Sequence, residues 1–220
     1  MTQRPHRLAS ALLKPALFVF FAAFAAACSA GSAPNYTLGQ QYNLVAQPQA
    51  PADPKKIEIE EFFCYCCPHC FHADPSIEEW RKHLPADVSF KRVPNSLGRD
   101  DGKILEQAFY IGQALGVGDK VHRPLFEAIH VHQQYITSLD QVKQIFADAA
   151  GVKPADFDGT AGSFVVDTGV RQADNESITY QIQSVPSIVV GGKYVVVGAP
   201  DDLLKIVDFL VDKVRKERKA

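Results

Sequence analysis

No run of 20 apolar residues occurs anywhere in the 220-residue chain, and a membrane-spanning helix needs about that many. Positive charge is not in excess either. Lys and Arg number 23 against 25 Asp and Glu, a net charge of −2, which argues against a nucleic-acid partner. No internal repeat is present. His72, His130 and His132 have no partner at a spacing that demands a metal, so solvated or groove-lining side chains are expected and no metal site or cofactor is implied. No stretch is left over for a dimerisation segment, which makes a monomer the expectation. What remains is a composition ordinary for a soluble globule, long enough for one large domain or two small ones. Cysteine is scarce, five residues in all, but four of the five fall within seven positions.

The first 27 residues differ from the rest. Arg4, Arg7 and Lys14 precede an uninterrupted apolar run at 16–27, too short to span a membrane and typical of a signal peptide. Small residues then lead into Cys28. Two readings stay open: lipidation of Cys28 as the first mature residue, or plain cleavage within residues 27–33. Ala25 stands where a lipoprotein site usually has a large aliphatic residue. Either way the protein is exported. Loss of three cations and no anion then takes the net charge to −5. Residues 28–40 read as a flexible tether rich in Ser, Ala, Pro and Gly, with a short strand near Tyr42.

The organising stretch is Glu60-Glu61-Phe62-Phe63-Cys64-Tyr65-Cys66-Cys67-Pro68-His69-Cys70. Residues 56–63 alternate Ile57 and Ile59 with Glu58 and Glu60 before turning aromatic, the pattern of a strand with a buried end. Pro68 suits the first position of a helix, where its missing N–H costs nothing. Cys67 then falls at the N-cap and Cys70 one turn in. Of the two overlapping Cys-x-x-Cys pairs, residues three apart on a helix approach to about 5–6 Å, whereas three steps along a strand span roughly 10 Å. The vicinal pair Cys66/Cys67 is about 3.8 Å apart, too close for an unstrained bridge. Cys67–Cys70 is the predicted redox disulfide, and Cys64 and Cys66 are read as buried small hydrophobes.

Position sets the chemistry. Unpaired N–H groups and the helix dipole stabilise a thiolate at Cys67, and His69 can add a hydrogen bond or a charge. A stabilised thiolate favours the reduced form, so the disulfide becomes electron-accepting. Cys67 is the point of attack, and Cys70 leaves and must take up a proton. Glu61, close to the strand end, is the candidate donor. Burial without a cationic partner would raise its pKa toward neutrality.

Further along, Pro75 interrupts a helical series running to Leu84, and 88–93 is a second strand, parallel to the first. Helices are expected at 104–115 (ended by Gly116 and Gly118), 121–131 with Pro124 in its first turn, 138–150 behind a Ser138/Gln141 capping box, 157–163, and 167–180 with Val170, Ala173 and Ile178 inward. Residues 184–197 read as a hairpin turning at Gly191-Gly192, and a last helix follows Pro200-Asp201-Asp202. Strand, helix, strand, helical insertion, hairpin and helix make an α/β thioredoxin fold. Its two parts, 41–98 and 173–220, bracket an inserted all-helical domain at 99–172.

Glu61-Phe62-Phe63 followed by Cys67-Pro68-His69-Cys70-Phe71 resembles the active-site segment of the DsbA family, thioredoxin-fold disulfide oxidants of the bacterial cell envelope, and the resemblance covers nearly the whole mature chain. It implies that Pro186 is cis and packs beside the disulfide, leaving the backbone of Val185 free to pair with an extended substrate. It implies an enzyme of the Gram-negative periplasm that oxidises reduced, unfolded exported proteins and is reoxidised by a membrane partner of DsbB type, with the membrane otherwise touched only through lipid on Cys28. Cys64 and Cys66 depart from the family pattern. The competing readings are a reductase or isomerase of the same fold, and a metal-binding or metal-delivery protein using all four thiolates.

Overall fold

A computed structural model of the chain describes residues 1–2 and 35–219. The leader, most of the tether and Cys28 lie outside the described residues. Among the described residues no helix is long and apolar enough to cross a membrane.

Five strands form one mixed sheet in the order β1-β5-β4-β2-β3. The inner strand β2 (Ile57–Phe63) runs parallel to the edge strand β3 (Val88–Pro94), in register from Ile57 opposite Val88 to Phe63 opposite Pro94. On its other side β2 pairs antiparallel with β4 (Ser187–Val190), which turns back into β5 (Tyr194–Val197). Gly191 and Gly192 both have positive φ, 61° and 63°, the backbone a tight hairpin turn requires. A two-residue β1 (Asn43–Leu44) closes the edge against β5.

Flanked by β4 and β3, β2 is buried on both faces, Glu60 and Glu61 included. Glu60 and Glu61 are 3% and 2% exposed, and the register sets Lys91 opposite Glu60 and Arg92 opposite Glu61. Lys91 Nζ lies 2.9 Å from Glu60, and Arg92 Nε 2.9 Å from Glu61. Two carboxylates are thereby held inside the sheet with cations from the next strand, as buried charges require.

Helix α1 (Pro68–Arg81) makes the crossover from β2 to β3. It continues through Pro75, which cannot donate to the Phe71 carbonyl one turn back; Arg123 Nη1 donates to that oxygen instead, at 3.3 Å. The helical region comprises α2 (Asp100–Ala114), α3 (Gly118–His130), α4 (Leu139–Ala150), α5 (Pro154–Ala161) and α6 (Phe164–Tyr180). The capping box at Ser138 and Gln141 is formed, and Gly151 ends α4 with φ 67°. Two expectations need correction. Gly118 starts α3 rather than ending α2, so Pro124 falls inside α3 and not in its first turn. In α6, Val166, Gly169, Ala173 and Tyr180 set the buried face, and Ile178 lies off it, 72% exposed. The last helix, α7 (Leu203–Glu217), packs Leu203, Ile206, Val207, Leu210 and Val214 on one face of the sheet, beside Trp80. Ala173 and Tyr180 cover Phe62, Val93 and Val189 on the other. A third cluster joins Phe63, Tyr65 and Cys70 to α2, α3, α4 and α5.

Candidate active site

The end of β2 delivers the chain into a tight turn. Cys67 N–H donates to the Cys64 carbonyl at 3.1 Å, and Cys66 N–H lies 3.1 Å from Cys64 Sγ. Helix α1 begins at once, with Cys67 as N-cap and Pro68 at its first position. Cys67 is half-buried and Cys70 is buried.

The four sulfurs are not disposed as the sequence suggests. Cys64 and Cys66 are joined in a disulfide, their Cα atoms 5.1 Å apart, while Cys67 and Cys70 are free thiols. The predicted bond between Cys67 and Cys70 is thus open, and the two read as inert hydrophobes are bonded. The reason is the turn. Cys64 does not continue the strand, and reversal through Tyr65 brings its neighbour two positions on within the Cα range of a disulfide.

Cys67 and Cys70 hydrogen-bond to each other, which is the largest influence lowering the Cys67 pKa. Burial opposes it; the backbone N–H groups of Cys70 and His69 and the charge of His69 add to it, leaving Cys67 at about 5. The same contact, with burial, pushes the Cys70 thiol far up. One sulfur is a thiolate at neutral pH and the other holds its proton. Because the His69 ring contributes least among these groups, His69→Ser is expected to raise the Cys67 pKa by less than about one unit. Titration of the thiolate's ultraviolet absorbance checks this; a shift of several units would mean the ring dominates.

Across from Cys67 stands the peptide bond Val185-Pro186, which is cis as expected. The Cys67 thiol donates to the Val185 carbonyl at 3.4 Å, so this carbonyl is not free while Cys67 is protonated. Loss of the proton releases it.

Glu61 is fully buried, and burial raises its pKa although Arg92 opposes the shift. The condition set from sequence, no cationic partner, does not hold; the direction survives because desolvation outweighs the ion pair. Its charge is felt at Cys70, whose pKa it helps to raise.

Around this centre lies a network that the sequence did not disclose. Tyr65 OH lies 2.9 Å from His122 Nδ1, and His122 Nε2 lies 2.9 Å from Asp74 Oδ1. Asp74 can only accept, so in the neutral ring Nε2 carries the proton and the tyrosine donates to Nδ1. Burial would raise the Asp74 pKa, but His122, Arg92 and Arg123 hold it below the usual carboxylate range. Donor atoms of Asp74, Glu78 and His122 lie within 4.8 Å of one another, yet Arg92 bridges Asp74 and Glu78 at 3.4 and 2.6 Å. The carboxylates already have their cation. His130 Nε2 donates to the Tyr65 carbonyl at 2.8 Å and its ring stacks on Phe71 at 4.8 Å, so His130 is structural, whereas His72 and His132 are exposed. The missed signal is the four-residue spacing of His122, Phe126 and His130, which aims all three rings of α3 at Phe63, Tyr65 and Phe71.

A Cys-x-x-Cys pair at a helix N-terminus, facing a cis-proline on this fold, defines a thiol–disulfide oxidoreductase. A model of the DSBA-like thioredoxin domain matches residues 58–208, and the chain belongs to that family. It is 34% identical over 194 residues to the thiol:disulfide interchange protein DsbA of Pseudomonas aeruginosa, covering 86% of this chain and 91% of that one. To the protein of the same name from Azotobacter vinelandii it is 37% identical over 182 residues, covering 81% and 84%. The crystal structure of Pseudomonas aeruginosa DsbA superposes with a TM-score of 0.78 at 34% identity, over 84% of this chain and 97% of that chain. The oxidoreductase DsbA of Xylella fastidiosa gives 0.75 at 31% identity, over 84% and 99%.

Proposed function

We propose that this chain is an exported dithiol oxidant that donates a Cys67–Cys70 disulfide to reduced, unfolded exported proteins. A substrate thiolate attacks Cys67 and expels Cys70, which takes up a proton with Glu61 as its source. A second substrate thiol then attacks the substrate sulfur of the mixed disulfide and expels Cys67. The observation that carries this reading is the Cys67 sulfur at the helix N-cap with a pKa near 5, since an acidic thiol is a fast leaving group and its thiolate favours the reduced enzyme. Val185, beside cis-Pro186, offers main-chain groups to an extended substrate. The compartment is the periplasm of a Gram-negative bacterium. Residues 1–27 serve as signal peptide and 28–40 as tether, with lipid on Cys28 as the anchor, and a membrane partner of DsbB type restores the disulfide.

The deciding measurement is the equilibrium with glutathione, made on the Cys64→Ser/Cys66→Ser variant so that one disulfide is followed. Excess reduced glutathione is expected to leave Cys67–Cys70 largely reduced. A disulfide that persists under those conditions would make the protein a reductase instead.

A further inference from the structure

Cys64 and Cys66 take no part in the mechanism above, yet they form a disulfide one residue from its nucleophile. The geometry points to a second oxidising equivalent: Cys64–Cys66 is a reserve disulfide that passes its oxidation to Cys67–Cys70 by intramolecular exchange through Cys67. This rests on the reading of Cys67–Cys70 as the substrate-oxidising pair.

Three observations carry it. First, the Cys64-to-Cys67 hydrogen bond of 3.1 Å closes a β-turn, which brings the Cα atoms of those residues within about 7 Å. That is at the reach of a disulfide, where a strand would have held them roughly 10 Å apart. Second, Cys70 is turned to the same place, because the Cys64 backbone is its hydrogen-bonding neighbour. Third, a leaving thiolate at Cys64 has a donor waiting, the Cys66 N–H at 3.1 Å from its sulfur. The buried Cys64 is thereby provided for, while Cys66 is only half-buried and reaches solvent protons.

The exchange starts with Cys64 and Cys66 bonded, Cys67 a thiolate and Cys70 a thiol. Cys67 attacks the Cys64 sulfur; the Cys64–Cys66 bond breaks, its electron pair leaves on Cys66, and Cys66 takes a proton from water. Cys70 then gives up its proton and attacks the Cys67 sulfur. The Cys64–Cys67 bond breaks and the pair leaves on Cys64. One disulfide, one thiol and one thiolate stand on each side, so no external oxidant enters. Attack on Cys66 is disfavoured because consecutive Cα atoms, about 3.8 Å apart, are too close for an unstrained bond.

Electron counting tests this. The mature chain carrying Cys28→Ser, so that only the four site cysteines remain, is oxidised until its thiol titre no longer falls, mixed without oxygen with excess reduced dithiol peptide and quenched in acid. Oxidised peptide is then counted by mass spectrometry. Two peptide disulfides per chain are expected from this four-cysteine chain, one from Cys64→Ser/Cys66→Ser, and none from Cys67→Ser. Should the double variant fold poorly by circular dichroism, Cys66→Ser alone replaces it, since three cysteines hold one disulfide. A single equivalent from the four-cysteine chain would overturn the proposal, as the reserve pair would be inert. So would one equivalent from Cys67→Ser, because the pair would then act on substrate directly. No equivalent from a folded double variant would instead show that the Cys67–Cys70 reading itself is wrong.

Discussion

Serine at position 67 is expected to remove oxidation of a reduced unfolded protein down to the background rate, a loss of at least ~10³-fold. The hydroxyl neither ionises near neutral pH nor forms a disulfide, so the helix N-cap at Cys67 keeps its field and loses the atom it acts on. Cys70→Ser is expected to lose turnover as well, but with a different signature. The Cys67 thiolate remains and still attacks substrate disulfides, while the buried position that should resolve the adduct no longer carries sulfur. Long-lived mixed disulfides through Cys67 should accumulate, visible on non-reducing gels. Full turnover by Cys70→Ser would rule out the paired mechanism, and adducts in both variants would move the nucleophile away from Cys67.

Stability offers the second large effect, and its sign depends on pH. Folding lowers the Cys67 pKa from an ordinary value of 9.0 to about 5. A depressed pKa contributes stability that is fully present above the unfolded value and is lost as pH falls through the folded one. Four units correspond to ~5 kcal/mol, but Cys67 is partly exposed, and screening cuts this to on the order of 3 kcal/mol at pH 9. Opposing it, the short Cys67–Cys70 loop stabilises the oxidised chain by ~2 kcal/mol through the unfolded state. The reduced protein is therefore expected to unfold at higher urea than the oxidised protein in mildly alkaline buffer. The gap should narrow as pH falls below the unfolded value of 9.0 and reverse by about neutrality, where the screened thiolate contribution drops under that of the loop. Denaturation of both redox forms, with Cys64 and Cys66 replaced by serine, reads the difference directly. An oxidised form that stays more stable at pH 8.5, about where a free thiol titrates, would show that the thiolate is not what drives the oxidation.

Much of the site was legible because the chemistry is local. The helix start at Pro68, the N-cap role of Cys67 and the one-turn spacing to Cys70 all follow from seven consecutive residues. Resemblance to a known family supplied the cis bond at Pro186, which lies more than a hundred residues away. What escaped was set by register and turns. Nothing in residues 56–63 says that Glu61 will meet Arg92, because that contact depends on how β2 and β3 align. Cys64 and Cys66 read as buried small hydrophobes because nothing in the residue pattern shows the reversal through Tyr65 that brings them together. Ile178 was set inward by its apolar side chain, against the phase that the rest of α6 follows.

The paired charges inside the sheet also bear on how the chain finds its alignment. Parallel strands joined by a helical crossover have no hairpin turn to count residues for them. A slip of one position would turn every side chain of β3 to the opposite face. Glu60 would then lose Lys91, and Glu61 would lose Arg92, inside a strand whose acids are almost fully covered. Abandoning a buried charge costs about 3–5 kcal/mol, a large share of the ~5–15 kcal/mol that holds a domain together. A misaligned pairing is thus disfavoured, and the adjacent acids and cations of these two strands work as a folding checksum.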